Sequence, residues 1–102
     1  MREKVMSPQA NKILRTVARE LKISEEELVK QGLRSFLESQ LREVKAEIFE
    51  LRGRYGVSSV EEMEARYRDG TLEEADSWRD LQRLDHLEYK QDRLLQLLEV
   101  IV

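Results

Sequence analysis

Hydrophobic positions recur along this chain at intervals of three and four residues, the spacing that aligns side chains on one side of an α-helix. Leu37, Leu41, Val44, Ile48, Leu51 and Tyr55 step 4, 3, 4, 3, 4, while Leu84, Leu87, Gln91, Leu94, Leu98 and Ile101 step 3, 4, 3, 4, 3. Both runs are heptad seams. They predict two long amphipathic helices, over 24–55 and 72–102, each roughly 45–48 Å long at 1.5 Å per residue. Ile13, Leu14, Val17 and Leu21 mark an earlier helix within 1–22, and Val60, Met63 and Tyr67 a short one within 58–69. Near-equal lengths joined by a compact connector favour an antiparallel hairpin. The predicted fold is all-α, a single domain spanning 1–102.

Polar residues punctuate this pattern where helix ends need them. Ser7 precedes Pro8, a helix start with proline at the first helical position. Ser24 with Glu27, and Thr71 with Glu74, match the S/T-x-x-E capping box. Ser58 and Ser59 each have a glutamate at a helix-start spacing, and Gly56 and Gly70 are placed to close helices in the left-handed conformation. Glu38–Arg42 and Glu50–Arg54 are spaced to pair along one helix. Gln91 interrupts an otherwise apolar seam, and is read as a device that fixes register or partner number, with tolerated surface polarity as the alternative. Leu28, Val29, Leu33, Phe36, Leu81, Leu95 and Leu97 flank the seams. Two helices cannot cover so wide a stripe, but a four-helix homodimer can.

Composition narrows the function. Charged residues make up 38% of the 102-residue chain, against roughly 25% in an ordinary domain, which suits elongated helices better than a large globular core. There is no cysteine, which excludes thiolate metal sites and fits a reducing compartment. No apolar run approaches the ~20 residues of a membrane span, and the N-terminus has no signal-peptide pattern, so the expected location is the cytoplasm. Residues 1–22 hold six basic side chains against two acidic ones, so the remainder carries −7 of an overall −3. Arg2, Lys4, Lys12, Arg15 and Arg19 are therefore the candidate contacts to nucleic acid.

Catalytic motifs are scarce. Phosphate-binding glycine loops and H-E-x-x-H are absent, and the acidic run Asp69, Glu73, Glu74, Asp76, Asp80 reads as a solvated face and helix-start charge. No cofactor or metal is expected. Arg79 and the single histidine, His86, form an R-x6-H pattern that resembles the signature of HEPN-type helical ribonucleases. That resemblance implies metal-independent acid–base cleavage of RNA at a dimer interface.

Two further resemblances point to binding. From Ala18 to Leu37, Ser24, Glu27, Leu28, Val29, Gly32, Leu33, Phe36 and Leu37 match the helical half of ribbon-helix-helix antitoxins. The resemblance implies a strand at Arg2–Met6 presenting Arg2 and Lys4 to a DNA groove. Glu25, Glu26 and Glu27 oppose that use, since they crowd the place where phosphates would sit. Glu43 to Glu64 and Trp78 to Lys90 resemble small helical antitoxin-like proteins of prokaryotic toxin–antitoxin modules. This implies an acidic helical surface that docks on and masks a toxin, with Phe49, Tyr67, Trp78 and Tyr89 either as aromatic anchors in a charged rim or as filling for the hairpin core and dimer interface. The sequence is thus read as a non-catalytic, homodimeric, antitoxin-like protein-binding regulator. The alternatives are a purely structural dimeric coiled coil and the helical ribonuclease.

Overall fold

A computed structural model describes residues 7–101, and within them all regular structure is helical. In chain order the elements are α1 (Pro8–Leu21), α2 (Glu25–Tyr55), α3 (Val60–Asp69) and α4 (Glu74–Val100). The ribbon expected at Arg2–Met6 lies outside the described residues, as do Arg2 and Lys4 themselves.

Local hydrogen bonds explain most of the boundaries. Ser7 Oγ accepts from the Ala10 N–H at 3.1 Å, and Pro8 occupies the first turn. Lys22 ends α1 with φ 59°, a left-handed conformation held by non-glycine backbone, while the Ile23 N–H returns to the Ala18 carbonyl. Ser24 Oγ accepts from the Glu27 N–H, and three glutamates in the first turn of α2 complement the helix dipole. The reciprocal arm of that capping box is replaced: the Glu27 carboxylate instead accepts from Gln31 Nε2 one turn on, at 3.0 Å. Gly56, at φ 62°, closes α2.

Both serines before α3 are used. Ser59 Oγ caps the Glu62 N–H, while Ser58 offers its N–H and hydroxyl to the Glu62 carboxylate. The box expected at Thr71 and Glu74 does not form. Thr71 turns its N–H and hydroxyl back to Asp69 Oδ1, at 3.0 and 2.7 Å, so α4 starts later, at Glu74, with Glu73 making no side-chain cap. The nearer carboxylate wins because the Asp69 turn is closed locally, within two residues.

Leu41, Val44, Ile48 and Leu51 of α2 pack with Leu84, Leu87 and Leu94 of α4 in one core, completed by Val57, Val60 and Met63. Met63 and Leu84 have no exposed surface. The connector is therefore a third wall of the core. Tyr67 joins it to α4: its hydroxyl lies 2.7 Å from buried Ser77 Oγ, whose own proton goes to the Glu73 carbonyl. Gln91 is half-buried beside these leucines. The radius of gyration is 20.1 Å, where a compact domain of this length has about 13 Å, so the molecule is long and thin.

A candidate protein-docking surface

The first third of the chain departs from that packing. Ala18 is the only buried residue of α1, and its apolar face is open: Ile13 is 63% exposed and Leu21 62%. The first half of α2 is open too, with Leu33 at 51% and Phe36 at 61%. The stripe that looked too wide for a hairpin is too wide: Val29, Leu33, Phe36, Leu95 and Leu97 all face solvent.

The proposed aromatic anchors do not form one cluster. Tyr67 turns inward to Ser77. Trp78 and Tyr89 are exposed eleven residues apart, three turns along one face of α4, and Phe49 is exposed on α2 in a shallow depression with Ala46, Glu47 and Glu50. Lys12, Arg15 and Arg19 are exposed along α1. Arg79 and His86 are both exposed on α4, seven residues and thus two turns apart. Any second Arg–His pair would have to come from another subunit. Among the described residues no group of acidic, histidine or cysteine side chains is arranged to hold a metal.

Charges between α2 and α4 are more ordered than the aromatics. Arg83 Nη2 donates to both oxygens of Glu47, at 2.8 and 2.9 Å, and Arg52 pairs with Glu88 at 3.1 Å. On α2 the two linked residues are five apart, and on α4 also five apart, which is about 140° around each helix. The two ion pairs therefore straddle the core seam on opposite sides. Glu88 also accepts from the Val60 N–H at the start of α3, so α3 covers the Arg52–Glu88 side. The Glu47–Arg83 side carries no covering element among the described residues.

On that uncovered side each long helix carries a second seam beside its core seam. Val29, Leu33, Phe36, Gln40, Glu43, Glu47, Glu50 and Arg54 step 4, 3, 4, 3, 4, 3, 4 along α2. Arg79, Arg83, His86, Lys90, Arg93 and Leu97 step 4, 3, 4, 3, 4 along α4. An apolar end thus passes into an acidic stripe on α2, and a basic stripe passes into Leu97 on α4. Neither stripe was singled out in the sequence, although their 3.5-residue spacing is visible there once charged residues are scored like apolar ones.

The loop end of this face is tied down. Asp80 accepts from both Arg54, at 2.9 Å, and the Tyr55 hydroxyl. Arg54 therefore pairs across to α4 rather than with Glu50 on its own helix. The hydrogen bond to Asp80, reinforced by the attraction of its charge, raises the Arg54 pKa. The Tyr55 hydroxyl's own hydrogen bond to Asp80, then partial burial, raises the pKa of the phenol. Near the connector, Ser58 holds the Glu62 carboxyl below its ordinary range and Thr71 does the same for Asp69, in each case through hydroxyl and N–H hydrogen bonds.

A family model described as the Uncharacterized protein MJ0235 family matches residues 6–101. No curated protein and no solved structure matches the chain.

Proposed function

The chain belongs to the uncharacterized protein MJ0235 family, and for this member we propose a non-catalytic protein-binding role: a homodimeric antiparallel hairpin that docks on and masks a partner protein, as an antitoxin-like regulator would. One observation carries the reading. Capped and well formed, α1 leaves Ile13 and Leu21 more than half exposed. Apolar surface kept in water forgoes about 25 cal/mol per Å², a cost that docking removes.

The antiparallel arrangement is supported by the two straddling ion pairs. Flanks at equal angles and of the same rotational sense meet on one side only when two helices run in opposite directions. Arg54 at the end of α2 also meets Asp80 near the start of α4. Trp78 and Tyr89, on another face, offer a second contact of the aromatic type that concentrates binding energy.

Tagged protein would be used to capture partners from its native cells, beside a variant carrying Ile13→Ser and Leu21→Ser. The expected result is one protein recovered in stoichiometric amount by the wild type and lost by the variant. Recovery of nothing but the chain itself would defeat the masking role and leave a structural homodimer. Equal recovery by both proteins would move the docking site off α1.

A further inference from the structure

We propose that the uncovered α2/α4 face, on the side opposite α3, is self-complementary and is occupied by a second copy of this chain, related by a two-fold axis along the hairpin. This rests on the protein-docking reading above and names one partner and its geometry.

The argument is one of charge and area. A two-fold axis lying along the hairpin, just above this face, sets α2 of one copy over α4 of the other and keeps corresponding ends together. The acidic stripe Glu43, Glu47, Glu50 then faces the basic stripe of the second copy, twice, by symmetry. The apolar ends, with Leu33 and Phe36 from α2 and Leu97 from α4, meet their own counterparts. A two-fold axis perpendicular to the hairpin would instead bring apolar ends over charged ones, which leaves charges against hydrocarbon. Glu47 and Arg83 already pair within one chain, and their side chains remain about half exposed, at 47% and 48%, so both keep free edges for a second partner.

Val29, Leu33, Phe36 and Leu97 together expose apolar area on the order of 400 Å², about half of the ~800 Å² each partner contributes to a standard interface. The charged stripes span the remaining length and supply the rest of the contact. The result is a four-helix arrangement in which α3 of each copy lies on the outside.

Charge reversal tests the register as well as the assembly. Wild-type protein, Glu43→Lys/Glu50→Lys and Arg79→Glu/Lys90→Glu would be run separately and mixed, with mass read by light scattering during gel filtration at low salt and helix content by circular dichroism. The wild type is expected at twice the chain mass. Each reversed variant inverts or cancels the charge of one stripe, so the attraction between facing stripes is lost and each is expected at the monomer mass with unchanged helix content. Mixing the two variants restores opposite stripes and is expected to restore the doubled mass. A monomeric wild type, or reversed variants that stay dimeric, would overturn the proposal, as would a mixture that fails to pair while both variants remain helical. Should a variant lose its helicity, Phe36→Asp alone decides: dimer persistence in that variant also overturns the proposal. These outcomes are separate from partner capture, which can succeed with a monomer or fail with a dimer.

Discussion

The two ends of this molecule use the same residue types in different ways. From Leu41 to Leu94, leucine, valine and methionine close around one another and exposed charges bridge α2 to α4. From Ile13 to Phe36, equally apolar residues on equally regular helices stay in water. Helix formation does not distinguish the two, since capping and propensity are good in both. The difference is a third element. At the enclosed end, α3 supplies Val60 and Met63 and turns two helices into an enclosed core. At the head nothing plays that part among the described residues. An amphipathic face shows that a helix expects a partner, and only packing shows whether the chain supplies one.

This contrast can be broken most severely at the enclosed end. Leu84→Ala should lower unfolding free energy by about 2–5 kcal/mol, because Leu84 has no exposed surface and the cavity it leaves cannot collapse freely. Denaturant unfolding would read this, and a loss under about 1 kcal/mol would mean that the core is looser than its burial implies. Next come the two left-handed helix ends. Gly56→Ala should cost about 1 kcal/mol from the strained φ alone, since an added Cβ would find only Arg66 Nη1 at 3.9 Å and hence no clash. Lys22→Gly should act in the opposite sense, stabilising by several tenths of a kcal/mol to about 1 kcal/mol, because Lys22 already holds φ 59° without being glycine. Thermal midpoints of the pair should therefore move in opposite directions. At the head, Phe36→Ser should change the stability of the dilute monomer by less than about 0.5 kcal/mol while weakening self-association. A large loss in the monomer would show that Phe36 is already buried by its own chain.

A pH series sharpens the contrast most finely. Glu62 is held below its ordinary value of 4.5 by the hydroxyl and N–H of Ser58. A carboxyl depressed on folding stabilises the protein above its unfolded pKa, and that contribution fades as pH falls through the lower folded value. Ser58→Ala removes the hydroxyl, so the midpoint of the variant should fall less steeply than wild type below about pH 4.5. Parallel curves would show that the hydroxyl contributes nothing to the depression.

The two long helices and their buried seams were legible from the sequence because heptad spacing is a one-dimensional record of a three-dimensional seam. Leu41, Val44, Ile48 and Leu51 are buried where that spacing put them. Helix starts were legible wherever the serine had no rival, as at Ser7 and Ser24. Thr71 was misread because Asp69, two residues back, offers a closer acceptor than the backbone of a helix yet to begin. The aromatic anchors were chosen by residue type, and type does not encode direction: Tyr67 points at Ser77 while Phe49 points at solvent. The charged stripes are not legible from hydrophobic periodicity, although Glu43, Glu47 and Glu50 keep the same spacing.

That α1 buries a single alanine also has a consequence on the time axis. A segment anchored so lightly opens without waiting for the rest of the molecule, so its amides exchange by local fluctuation while those around Leu84 wait for global unfolding. Arg15, Arg19 and Lys22 lie exposed in or just beyond that segment. Brief trypsin treatment of the monomer should therefore trim the head first and leave the packed α2–α4 region as a discrete fragment. Slower trimming as protein concentration rises would report that the head has found cover.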